Sequence, residues 1–132
     1  MKEKKKLCPC YSSLPYADCC APLHAGAPAA DAEKLMRARY SAYALRLPDY
    51  ILATWHASTR PESLGFDDGP QAKWLGLEVL RHTPGEAGKA TVEFVARCRA
   101  GGKTHRLHEL SRFVCEDGRW LYVDGDVTPP PA

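Results

Sequence analysis

The chain has 132 residues, 45% hydrophobic and 26% charged, with 18 Lys+Arg against 16 Asp+Glu for a net charge of +2. That is enough chain for one domain with a real core, in the balance of a soluble globular protein. The charge is too small to argue for nucleic acid, and no segment approaches the ~20 apolar residues of a membrane span.

In chain order, the first feature is the basic start MKEKKK, read as a solubilising, frayed terminus. Leu7 and Cys-Pro-Cys follow at once, leaving no room for the apolar core of an export signal, so the expected compartment is the cytoplasm. Clustered cysteines there are more often metal ligands or redox groups than structural disulfides.

Residues 8–20, CPCYSSLPYADCC, hold four of the six cysteines in the pattern C-x-C-x8-C-C. Cys8 and Cys10, set around a proline, can direct both thiolates to one side of a tight turn. Cys19 and Cys20 can return to the same point after the intervening loop. Four soft ligands suit zinc in a tetrahedral cage, and metal binding would supply the folding free energy that so short a segment lacks. Disulfides fit poorly, because adjacent cysteines bridge only with strain. A redox dithiol, more typically C-x-x-C, is the second reading. His24 in place of Cys20 is the second-ranked ligand set.

Residues 21–30, APLHAGAPAA, read as a linker. Asp31 is a plausible N-cap with Glu33 in the first turn. Leu35, Met36, Tyr40, Tyr43, Ala44 and Leu47 then recur at threes and fours, predicting a helix that Pro48 ends. Asp49 is placed as the cap of a shorter helix through YILATWH, and residues 57–72 as a lid or a crossing loop. The second half predicts four strands, WLGLEVLRH, KATVEFVARCR, KTHRLHELSRFVC and RWLYVD, with hairpin turns at Gly101-Gly102 and Asp117-Gly118. The expected fold class is α+β, helices on one face of a curved four-stranded antiparallel sheet. TPPPA, residues 128–132, reads as a disordered tail.

One charged residue intrudes on the helix stripe. Arg39 lies at three and four from the apolar positions and should point toward the sheet. A two-residue turn at Gly101-Gly102 sets position 100 against 103, which puts Glu109 and Ser111 on the core face with Ala90, Val92 and Phe94. An Arg39–Glu109 pair is then expected, because an unpaired buried arginine is costly. The same register opposes Arg97 and Arg106, an unfavourable pairing that a bulge would relieve. The polar pair reads either as a structural ion pair or as the floor of a pocket, with Tyr40, Tyr43, Trp55 and His56 at its mouth. His56 is the candidate general base. His108 falls on the outer face in a surface cluster with Glu93 and Arg112. The glycines occupy turns, and no phosphate-binding loop is present.

The spacing CPC-x-S-x-x-x-Y-x-x-CC resembles the SEC-C motif, the zinc-binding segment at the C-terminal tail of the SecA translocase ATPase. The stretch from CAPLHAG to ATWHASTRP, with WLGLEVL, VEFVARCR, HELSRF and GRWLYVDG, is similar to the small bacterial YchJ family. There the motif precedes a domain similar to nuclear transport factor two, a cystatin-like cone. The resemblance implies a zinc-binding segment over 1–27, with Cys8, Cys10, Cys19 and Cys20 as ligands, and a cone domain over 28–132. The usual motif has glycines where this chain has Tyr11 and Ser13, so the loop must turn another way or carry strain.

Two functions follow as expectations. The first is a binding module, in which a structural zinc knuckle beside the basic arm recognises a protein or ribosome-associated partner, without membrane contact. The thiolate cage leaves the metal no open position. The second is a small-molecule carrier or enzyme using the cone, with Arg39 as anion anchor and Glu109 or His56 as acid/base. The first expects Arg39 and Glu109 to pair and fill the interior, the second an open pocket with Glu109 unpaired. Oligomer assembly through the outer sheet face stands as a third possibility.

Overall fold

The computed structural model describes residues 6–64 and 73–128. The lysine-rich start up to residue 5, the far part of the 57–72 loop and the tail from residue 129 lie outside the described residues. Thr128, read with the tail, is the last residue of a strand.

The chain opens with a short 3-10 turn, Tyr16–Asp18, and a single helical turn, α1, Cys20–His24. The predicted linker therefore begins as helix. The long helix α2 spans Ala32–Leu45, and Asp31 caps it by accepting from the Lys34 N–H at 2.8 Å. It ends at Arg46, whose left-handed backbone (φ 58°) turns the chain away. Pro48 then opens α3, Pro48–Ala53, at the helix position where its missing N–H costs nothing. Asp49 thus lies inside the first turn of α3, with Leu47 as the cap.

Four strands follow in simple meander order, β1 (Lys73–Pro84), β2 (Lys89–Ala100), β3 (Lys103–Glu116) and β4 (Arg119–Thr128). Gly101 and Gly102 (φ 59° and 76°), like Asp117 and Gly118 (φ 53° and 77°), take the positive φ that two-residue hairpins with the right twist require. The β2–β3 register is the predicted one, with Ala90 opposite Phe113, Phe94 opposite Glu109 and Arg97 opposite Arg106. No bulge separates the two arginines. Bulges fall instead in β1, around Leu75 and Leu80, and in β4 beside Phe113, where they bend and twist the sheet.

The inner face of the sheet meets Leu35, Met36 and Tyr40 of α2 in one cluster with Val92, Phe94, Ala96 and Phe113. Cys8, Cys10 and Cys20 belong to that same cluster, because α2 is buried on two sides. Its far side is built of small residues: Ala38, Ser41 and Ala42 are fully buried. After α3 the chain adds briefly to β4, with the His56 N–H on the Tyr122 carbonyl at 2.7 Å and the Tyr122 N–H on Thr54 at 2.8 Å. No helix among the described residues is long and apolar enough to cross a membrane.

Arg97 and Arg106 are both exposed and directly opposed. Like charges in that position destabilise a sheet by a few tenths to about 1 kcal/mol. Arg106→Glu should therefore raise the unfolding free energy by about 0.5 kcal/mol in chemical denaturation, with the gain shrinking as salt is added. A loss of stability would show that the opposition is relieved in some other way.

Candidate metal centre and cone cavity

The cysteine segment folds as a miniature hairpin. Leu7 bridges Pro15, the Cys8 N–H donates to Leu14 O at 2.8 Å, and Tyr11 N–H donates to Cys8 O at 3.2 Å. Tyr11 (φ 63°) and Ser13 (φ 71°) both occupy the left-handed region, so this loop keeps a backbone suited to glycine and carries it on side-chain-bearing residues. Cys19 (φ −124°, ψ −96°) stands outside helical geometry just before α1 begins at Cys20, which breaks the chain direction between the two neighbouring cysteines.

The result is convergence. The Sγ atoms of Cys8, Cys10, Cys19 and Cys20 all lie within 4.8 Å of one another. Cys10 and Cys19 are 3.6 Å apart and Cys19 and Cys20 3.9 Å, with the Ser12 hydroxyl 3.1 Å from the Cys19 sulfur. None is disulfide-bonded, and Cys8, Cys10 and Cys20 are buried. Four such thiols cannot all ionise unaided. A hydrogen bond from Cys20 holds the Cys10 thiol down to about 4. Burial pushes Cys8 up to about 11, and the bond to Cys10 followed by burial raises Cys20 far above the thiol range. A soft cation at the centre would let the remaining thiols release their protons. The donor set fits such a metal.

Two groups tie this cluster to α2. Arg37 donates from Nη1 to Cys10 O at 2.9 Å while its Nε holds Glu33 at 3.2 Å, which brings a positive charge beside the thiolates. His24 is spent on packing: Nε2 donates to Ala38 O at 2.9 Å and Nδ1 accepts from the Tyr16 hydroxyl at 2.7 Å. It is not among the four converging ligand atoms, so the alternative set with His24 is not the one the fold assembles.

On the other side of α2 a cavity of about 300 Å³ opens between helix and sheet. Arg39, Tyr40, Tyr43, Trp55, Glu109 and Ser111 line it, and Met36, Trp74, Phe94 and Tyr122 are among its other walls. His56 does not. It faces outward at the β4 edge, with Nδ1 accepting from Ser58 (N–H at 3.1 Å) beside the Ser58 hydroxyl at 2.7 Å, and Nε2 against Glu116 at 3.0 Å. His108 pairs with Glu93 at 2.7 Å on the outer face, as read.

The expected Arg39–Glu109 pair is not formed: no ion pair among the described residues joins them. Arg39 is 6% exposed, and its Nη1 donates to Ile51 O at 2.7 Å and to the Thr54 hydroxyl at 2.8 Å. The physical reason is the C-terminal end of α3, whose carbonyls need donors and whose dipole favours a cation. The guanidinium carbon also sits 4.6 Å from the Tyr122 ring and 5.0 Å from the Trp55 ring, between two faces that attract it. Burial pulls its pKa below the usual arginine value. Glu109 takes its hydrogen bonds on Oε2, from the Ser111 hydroxyl and from the Tyr122 hydroxyl at 3.4 Å. Gly125 makes room for it: a Cβ there would lie 2.4 Å from that oxygen.

Residues 31–125 match the family model described as YchJ, middle NTF2-like domain. A UPF0225 protein of Polaromonas naphthalenivorans is 60% identical over 114 residues, 86% of this chain and 82% of its own length. One from Chromobacterium violaceum is 55% identical over 132 residues, 95% and 98% of the two chains. Among solved structures, a SEC-C motif containing protein from Rhodopseudomonas palustris has 36% identity and a TM-score of 0.77 over 90% of this chain and 96% of that one. Another from Psychrobacter arcticus has 32% identity and a TM-score of 0.76 over 95% and 84%. A cysteine knuckle seated on a helix-and-sheet cone, matched in sequence and in architecture over most of the chain, makes this protein a member of the YchJ family of UPF0225 proteins.

Proposed function

We propose that this is a zinc-binding protein in which Cys8, Cys10, Cys19 and Cys20 hold one structural ion, and that the knuckle so formed recognises a protein partner. The sulfur spacing carries the first part. A tetrahedral zinc–thiolate site with bonds of about 2.3 Å has sulfurs roughly 3.8 Å apart. Two of the six separations, 3.6 and 3.9 Å, bracket that distance, and all six lie within 4.8 Å. Four protein ligands leave no open position, so the ion's work is folding and not catalysis. Reduced thiols suit a cytoplasmic setting.

The partner reading is supported by what the knuckle leaves uncovered. Leu7, Tyr11 and Leu14 are 65%, 49% and 47% exposed, three large apolar side chains on one short hairpin. Such a patch, beside Arg37 and following the lysine-rich start in sequence, suits an apolar surface with an acidic rim, on a free protein or on one carried by the ribosome. A second reading has its own observation: Arg39 and Glu109 do not pair, and an open cavity separates helix from sheet. The cone would then hold a small molecule.

Elemental analysis of protein purified without chelator should find about one zinc per chain, with Cys98 and Cys115 alone reacting readily with thiol reagents. Absence of metal together with four or more reactive thiols would contradict the proposal. Ser13→Gly should relieve the left-handed strain and raise the unfolding free energy of the metal-loaded protein by about 1 kcal/mol. Destabilisation by this change would mean that the Ser13 side chain is needed. A photo-crosslinking residue at Leu14 should give one defined protein adduct in cells that a residue at Lys103, at the β2–β3 turn, does not. Equal labelling from both positions would remove the knuckle as the contact surface.

A further inference from the structure

The cavity in the cone is chemically specific, and we infer that it takes a small, uncharged, planar ring system with a lactam-type edge, its carbonyl toward Arg39 and its N–H toward Glu109. This rests on the second reading above, that the cone holds a small molecule.

The polar groups set the edge. Nη1 of Arg39 is committed to Ile51 and Thr54. Its Nε and Nη2 make no hydrogen bond to any described residue, yet no buried polar side-chain atom among those residues lacks a partner. These N–H groups therefore retain access, and Arg39, itself 6% exposed, lines the cavity. Glu109 lines it too, and its described hydrogen bonds fall on Oε2, leaving Oε1 to accept. The cavity thus offers donors from a cation and an acceptor from an anion that are not paired with each other.

Charge balance selects among ligand classes. An anion would gain from Arg39 but meet Glu109, and a cation would do the reverse. With Arg39 almost wholly buried, either mismatch is costly. A neutral molecule with an acceptor next to a donor satisfies both groups at once. The walls argue for the plane: Tyr43, Trp55, Trp74, Phe94 and Tyr122 surround the space with aromatic surface, which favours stacking and edge contacts with a flat ring. At about 300 Å³ the volume lies at the low end of small-molecule pockets, which limits the ligand to one or two rings.

The test holds the ring constant and changes only its edge. Carbostyril (a bicyclic lactam), quinoline, quinaldate (an anion) and N-methylquinolinium (a cation) are titrated into the metal-loaded full chain, with the fluorescence of the cavity-lining Trp55 and Trp74 as readout. Carbostyril should bind about tenfold more tightly than the other three, the usual worth of a hydrogen bond to a charged group. Glu109→Gln, which keeps the shape of the side chain, should weaken carbostyril about tenfold and leave quinoline unchanged. Tightest binding of quinaldate or of N-methylquinolinium would overturn the lactam inference while the cavity reading stood. No binding by any of the four would remove both.

Discussion

Four sulfur atoms drawn within 4.8 Å of one another are the constraint on which the rest of this molecule depends. Bringing them together demands a hairpin with two side-chain-bearing residues in the left-handed region, and a helix that starts between two neighbouring cysteines. A peptide this short does not repay such strain by packing alone, and a metal ion held by the four sulfurs would offset it. The knuckle in turn covers the small-residue side of α2, through the His24–Ala38 and Arg37–Cys10 hydrogen bonds. Helix α2 is therefore held from both sides. Its position over the sheet is what creates the cavity.

The cavity follows from a competition that Arg39 resolves locally. Its guanidinium finds the last carbonyls of α3 and two aromatic faces within one side-chain length, and these outweigh the carboxylate across the sheet. Had the two charges met, the interior would have closed over an ion pair. Because they do not, helix and sheet stand apart around a space with opposite charges at its floor. Tyr11 links the two halves of the molecule: its ring meets Tyr40, a wall of the cavity, edge-on at 6.2 Å. One of the two residues that strain the knuckle thus also touches the cone.

Much of this was legible in the sequence because two local signals are rigid. A two-residue Gly-Gly turn admits one register, so the faces of β2 and β3, and with them Glu109 and Ser111, could be assigned in advance. The cysteine spacing pointed to convergence for the same kind of reason, since few short chains can bring four thiols together except around a metal. What stayed hidden was set at longer range. The second buried face of α2 consists of Ala38, Ser41 and Ala42, which carry no hydrophobic signal strong enough to mark a face. Trp74 and Tyr122 sit beside bulges that shift the alternation of β1 and β4. The partner of Arg39 depended on where α3 ended, a residue or two that helix periodicity does not fix. His56 was drawn to Glu116 on a neighbouring strand, a choice between faces that its position next to Trp55 does not reveal.

The claim at the centre of this account is that one zinc ion is held by thiolates alone. X-ray absorption at the zinc edge of the purified protein reads that shell directly. The account predicts a single shell of four sulfurs at about 2.3 Å. A nitrogen or oxygen ligand in that shell, which would bring His24 or water to the metal, would contradict it.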